Sequence, residues 1–153
     1  MNIEERLKEL GITLSGAPAP LGSYVPCVRT GNLLFLSGVL PLREGKVTRT
    51  GRVGEKVSLE EAQEDARQVA INALSLLKAN LGSLDRVVRV VKLNGFVASA
   101  GEFFDQPKVL NATSDLIFQV FGEAGRHARA AVGVYALPLN SPVEVDFIVE
   151  IKD

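Results

Sequence analysis

Three stretches of the chain are apolar on both alternating faces: 33–38 (LLFLSG), 86–97 (RVVRVVKLNGFV, apart from Arg89, Lys92 and Asn94) and 129–136 (RAAVGVYA, after Arg129). Side chains alternate sides along a strand, so strands of this kind have to be covered above and below. Only two segments keep the helical period over a length sufficient for a covering helix, and two helices cover one face of one sheet. A chain of 153 residues holds nothing further for the second face. The pattern therefore implies that other copies of the chain supply the cover, in a closed homo-oligomer.

Local signals place the elements. Residues 2–10 (NIEERLKEL) read as a short helix with Ile3, Leu7 and Leu10 on one face, Asn2 as N-cap and Gly11 as stop. Residues 11–23 are rich in Gly and Pro and read as an extended connector. Apolar runs at 24–29 and 33–38, separated by Thr30-Gly31-Asn32, read as a β-hairpin. The second run ends at Gly38, where a missing side chain permits a close backbone approach. Residues 41–57 are polar and read as an irregular loop, with a short edge strand starting at Lys46 and Val47.

Ser58-Leu59-Glu60-Glu61 is a capping box, and the helix it opens runs to about Asn80 before Gly82 closes it. The spacing predicts a second helix over roughly 103–122, with Phe104, Val109, Ala112, Leu116 and Val120 facing the core and Pro107 in or near the first turn, where its missing N–H costs nothing. The last strand, 143–151, alternates Val143, Val145, Phe147, Val149 and Ile151 inward against Glu144, Asp146 and Glu150 outward. The order is that of an α+β layered domain, with two helices on one face of the sheet. Residues 1–17 form an N-terminal helical extension and connector, and 18–153 a single domain.

Composition removes whole classes of function. Seventeen Lys+Arg against 18 Asp+Glu, with no basic run, lack the electrostatic footprint of a dedicated nucleic-acid binder. No apolar stretch approaches the ~20 residues of a membrane span, and residues 1–17 carry no signal-peptide core, so a cytoplasmic protein is expected. A single Cys27 and a single His127 leave no ligand set for a metal. Phosphate-cradling GxxxxGK[ST] and GxGxxG strings and the GxSxG elbow are absent. Chemistry falls to carboxylates, arginine, backbone and water, and no cofactor is expected.

Four places carry the candidates. Arg129 sits among Ala128, Ala130 and Ala131, where a guanidinium can reach uncrowded space and grip a carboxylate bidentately; the other reading is a strand-end arginine in solvent or in a structural ion pair. Glu144 and Asp146 share a strand face, as an acid–base pair if one pKa is raised, or as the polar side of a half-solvated strand. Tyr24, at a loop-to-strand junction, either caps a pocket or is a core aromatic. Asn111 lies mid-helix against propensity and suits a bond to a neighbouring loop or to a ligand. His127 reads as structural and Cys27 as a small core hydrophobe. Arg86, Arg89 and Lys92 read as solvated or salt-bridged rather than RNA-binding.

The run 20–41, PLGSYVPCVRTGNLLFLSGVLP, and the closing RHARAAVGVYALPLNSPVEVDFIVEI at 126–151 resemble the Rid (YjgF, reactive-intermediate deaminase) family, also labelled endoribonuclease L-PSP and translation initiation inhibitor. The resemblance covers roughly 18–151, and the extra residues at 1–17, 41–57 and 98–107 mark a divergent, long subgroup. It implies a chorismate-mutase-like fold with a mixed sheet, in a homotrimer with a central barrel and ligand clefts between subunits. It implies hydrolysis of small 2-imino acids and their enamine tautomers to 2-oxo acids and ammonia, without a cofactor or metal. Residue by residue, Arg129 matches the carboxylate-binding arginine and Glu144 the acidic residue that orients water. Tyr24, Gly38 and Asn111 match positions lining the cleft.

Ala130-Ala131 stand where the family commonly has Ser-Cys, Val39 where it has Gln, and Asp146 where it has a second Glu. Those departures motivate a second reading, a non-catalytic trimer that binds or senses a small metabolite, since fold does not fix function. A third, ribonuclease or translation inhibitor, is disfavoured by the charge balance.

Overall fold

The computed structural model describes residues 2–153. Five strands form the main sheet: β1 (Cys27–Thr30), β2 (Leu33–Val39), β5 (Val87–Ala98), β6 (Ala128–Val134) and β7 (Val143–Ile151), in the order β1-β2-β7-β5-β6. Neighbours are antiparallel except β5 and β6, which run parallel, so the sheet is mixed. A separate small hairpin pairs β3 (Leu42–Arg43) with β4 (Lys46–Val47). Three α-helices accompany them: α1 (Ile3–Glu9), α2 (Leu59–Leu81) and α3 (Gln106–Phe121).

Both expected caps form. In α1 the Asn2 side chain accepts from the Glu5 N–H at 2.9 Å and the Glu5 carboxylate accepts from the Asn2 N–H at 3.1 Å. Ser58 and Glu61 make the same reciprocal pair at the start of α2. Gly82, with φ +80, ends that helix in a conformation other residues avoid.

Two boundaries differ from expectation for the same reason. The predicted helix over 103–122 begins only at Gln106, because a start at Phe103 would put Pro107 inside the helix, where its ring strikes the carbonyl one turn back. Phe104 is thereby left outside the helix and 74 % exposed, not buried. Likewise β1 begins at Cys27, after Pro26, and Tyr24 stays outside the ladder. Thr30 pairs with Leu33, so the hairpin loop is the two residues Gly31-Asn32.

The core lies between the sheet and α2/α3. Val143, Val145, Phe147, Val149 and Ile151 of β7 are all buried there. A Cβ on Gly95 would run into the Leu110 side chain, so glycine at that position is what lets α3 lie close on β5. The N-terminal helix extends this layer: Glu4 pairs with Lys78 of α2 at 2.8 Å, the Ile3 N–H donates to Asp85 at 3.1 Å, and Leu7 is buried.

All three helices thus belong to one side. On the other, Val28, Phe35 and Ile148 share one row of the register, and Phe96 and Val132 share another with Glu144. Phe35, Val132 and Val28 are 39, 46 and 57 % exposed. An apolar sheet face without a cover in its own chain is what the two-faced strands anticipated.

Candidate functional site

Arg129 lies on the edge strand β6, in register with Leu93 of β5 and Phe147 of β7. Both neighbours are buried beneath the helices, so the arginine rises on the helix side of the sheet. There its Nη1 donates to Asn111 Oδ1 at 3.0 Å and to Ser114 Oγ at 3.1 Å. Asn111 and Ser114 are three apart on α3, hence on one face of it, and Gly95 is what brings that face within reach.

Those two bonds use both hydrogens of Nη1. The remaining donors, on Nε and Nη2, have no protein acceptor among the described residues, and no carboxylate pairs with the guanidinium. An arginine clamped by neutral acceptors keeps its full charge and presents a two-pronged edge of the shape a carboxylate fits. The recess beside it is lined by Ser114, Asp115, Phe118, Arg126 and His127.

His127 is structural in the sense expected and is also wired to this arginine. Its Nδ1 lies 2.6 Å from the Gly125 carbonyl and its Nε2 2.9 Å from Ser114 Oγ. Burial holds the imidazole pKa below its ordinary value; the Gly125 bond opposes this and the Arg129 charge adds to it.

A second group forms around Glu144. Its neighbours Val143 and Val145 point to the core, so Glu144 projects from the uncovered face, in register with Phe96. Gly38 of β2 lies directly beneath the carboxylate: a Cβ there would stand 2.5 Å from Glu144 Oε1. The close approach permitted by Gly38 is therefore taken up by Glu144. Burial, and then the charge of Asp146, push the Glu144 carboxyl above the usual carboxylate range. Asp146 itself accepts from Asn94 Nδ2 at 2.9 Å, whereas no cation pairs with Glu144 among the described residues. A half-buried carboxyl with a raised pKa takes up and returns a proton more readily than an ordinary carboxylate.

Tyr24 is no core aromatic: it is 49 % exposed, its hydroxyl accepts from the Leu21 N–H at 3.4 Å, and it rims an apolar recess with Pro18, Pro20, Gly38 and Leu40. The candidate residues thus fall into two clusters. Arg129 and Asn111 stand on the helix side at one sheet edge; Glu144 stands over Gly38 on the opposite face, two strands and roughly 10 Å across the ladder. One chain does not bring them together.

Ser114 was not singled out by the sequence reading, although a hydroxyl three positions after Asn111, on the same face of the helix, was the available signal. Of the three basic residues noted there, Arg86, just before β5, donates to the Leu81 and Lys152 carbonyls, Arg89 pairs with Glu150 at 3.3 Å, and Lys92 is exposed. Cys27 is half-buried against the core, and burial raises its thiol pKa. Among the described residues no helix is long and apolar enough to cross a membrane.

The sequence profile of a family described as YjgF/chorismate mutase-like, with a provisional endoribonuclease label, matches residues 4–151. Among solved structures, a protein of unknown function from Agrobacterium tumefaciens superposes with a TM-score of 0.91 and 53 % identity, over 98 % of this chain and 92 % of that one. Protein TCP17 of Trypanosoma cruzi is 47 % identical over 99 % of this chain and 95 % of its own length. A 2-iminobutanoate/2-iminopropanoate deaminase of Dermatophagoides farinae is 29 % identical, over 89 % of this chain and 91 % of its own length.

Proposed function

The chain belongs to the YjgF/chorismate mutase-like family, and from that premise we propose that it hydrolyses small 2-imino acids and their enamine tautomers to 2-oxo acids and ammonia. The reading needs no cofactor, and its site is a cleft between copies of the chain in a homotrimer. The observation that carries it is the state of Arg129: fixed by neutral Asn111 and Ser114, paired with no anion among the described residues, and open along its Nε/Nη2 edge. The mite relative's name gives the same substrate class for that protein.

The two clusters then divide the chemistry. Arg129 holds the substrate carboxylate by two charge-assisted hydrogen bonds and so fixes the imine carbon. Glu144, from a neighbouring copy, orients a water and accepts its proton as the oxygen bonds to that carbon and the C=N electron pair moves to nitrogen. The resulting carbinolamine receives that proton on nitrogen; its hydroxyl then gives its own proton to the freed Glu144 carboxylate as the C–N bond breaks, so the C=O forms and ammonia leaves the 2-oxo acid. A protonated imine is already electrophilic, so placement of water and substrate supplies most of the acceleration. The uncovered apolar face provides the contact between copies, and Ala130, on that face in register with Asn94 and Asp146, keeps it free of further polar groups.

The test is competition. An amino-acid oxidase generates the 2-imino acid, semicarbazide traps it, and the added protein diverts it to 2-oxo acid. Diversion lost in Arg129→Ala, with the oligomer intact, supports the assignment. Equal trapping with and without protein, across small, branched and aromatic imino acids, turns the reading to a carboxylate-binding trimer without catalysis, the alternative that Ala130-Ala131 favours.

A further inference from the structure

We propose that Ser114 and His127 are positioning residues for Arg129: together they fix which edge of its guanidinium receives the substrate carboxylate. The proposal rests on the imine-hydrolase reading for its substrate and on the hydrogen-bond chain for its geometry.

With the imidazole neutral, the chain has one polarity. The Gly125 carbonyl can only accept, so His127 Nδ1 must carry the proton that fills the 2.6 Å contact. In the neutral ring Nε2 is then a bare lone pair, and the 2.9 Å contact to Ser114 must be a bond donated by the hydroxyl. With its one proton committed to His127, Ser114 Oγ can only accept from Arg129 Nη1, at 3.1 Å. Two further features hold the polarity in place. Gly125 sits so tightly on α3 that a Cβ would stand 2.5 Å from the Ile117 carbonyl, so the carbonyl that anchors His127 is fixed to the same helix as Ser114. Burial and the nearby arginine keep the imidazole neutral, against the Gly125 bond.

The consequence is directional. Asn111 alone would leave the guanidinium free to swing about one bond. With Ser114 as a second acceptor on the same nitrogen, Nη1 is fully spent on α3 and the Nε/Nη2 edge is the only fork left for a ligand. The charged groups bordering the recess do not replace this anchor: Arg126 is turned onto Phe118 and Glu123, and Asp115 makes no ion pair with Arg129 among the described residues.

Four variants of the full chain test it. Ser114→Ala and His127→Leu remove the chain at two different links; Ser114→Thr and His127→Gln restore, respectively, a hydroxyl and an acceptor at the Nε2 position. Binding of 2-oxobutanoate is measured by calorimetry, and KM and kcat by the semicarbazide competition. The expected result is about tenfold weaker binding and a matching rise in KM for Ser114→Ala and His127→Leu, with a smaller change in kcat, and recovery to within about threefold in the conservative pair. Wild-type affinity in both disruptive variants overturns the proposal, as does failure of both conservative variants to recover binding while melting as wild type does. A protein that binds 2-oxobutanoate with this pattern yet diverts no imine supports the positioning role and overturns the hydrolase reading. A wild-type chain that does not bind the probe overturns the positioning role itself.

Discussion

Gly38→Ala is the substitution whose effect follows most directly from distances. The added methyl would stand 2.5 Å from Glu144 Oε1, 2.9 Å from Cδ and 3.2 Å from Cγ. Ordinary contact begins near 3.4 Å, so the carboxylate has to retreat by about 1 Å. What it meets is the far end of a flexible side chain, not backbone, and the adjustment costs the fold about 0.5–1.5 kcal/mol of side-chain strain. For the reaction the same retreat is expensive: a misplacement of this size costs on the order of 10²-fold in rate, or about 2.7 kcal/mol in the barrier. The arginine of each site comes from a different copy, and its Asn111–Ser114 anchor is untouched by the substitution, so carboxylate binding should not follow. The semicarbazide competition gives turnover, calorimetry with 2-oxobutanoate gives binding, and a thermal melt reports the fold. Turnover within twofold of wild type would refute the reasoning, because the position of Glu144 would then not matter to the rate. A loss of binding equal to the loss of turnover would refute it too, because Gly38 would then be shaping the carboxylate site.

Glu144→Gln should abolish turnover yet raise the melting temperature near pH 7. Because the folded-state pKa is raised, chiefly by burial, the ionised native form carries a cost that grows as pH rises through the folded value; the advantage of the variant should vanish toward pH 4, in melts run across pH 4–8. Gly95→Ala drives a methyl into the fully buried Leu110 and should cost about 1–3 kcal/mol in urea denaturation. By lifting α3 it should also weaken 2-oxobutanoate binding, since Asn111 and Ser114 move with the helix.

The strands, both helix N-caps and the bare second face were legible because each is written in short-range chemistry: alternation in 143–151, Ser58 with Glu61, and apolar residues on both sides of 86–97. What misled was proline acting through its geometry. Pro107 was accepted as a first-turn residue, yet a helix starting at 103 would have put it in the interior, and Phe104 was counted as core. Asn111 was visible as a misfit in a helix, but its partner was not, because Arg129 lies eighteen residues away on a strand. Ser114 and His127 were hidden for the same reason. Each is unremarkable alone, and only the close packing at Gly95 and Gly125 makes them neighbours. Gly38 was legible as a place of close approach, but not what approaches it: Glu144 from β7, a contact between strands that share a register but not a stretch of sequence.

Arg129 and Glu144 are two opposite charges, each without an ion partner among the described residues and each on a different face of one sheet. If both act on one substrate, every site takes its arginine from one copy and its carboxylate from the next, and the two inactive variants should repair each other. Arg129→Ala chains still carry Glu144, and Glu144→Gln chains still carry Arg129. Unfolded together at equal amounts and refolded, they form mixed rings in which about one quarter of the junctions join an intact arginine to an intact carboxylate in the required order. Ammonia release should therefore return to about one quarter of the wild-type rate, while each variant refolded alone stays at background. Both variants have to give the same oligomer by light scattering before mixing, so that a failure to assemble is not mistaken for a failure to complement. No recovery from rings shown to be mixed would mean that Arg129 and Glu144 do not serve a shared site, and the division of labour between the two faces would have to be abandoned.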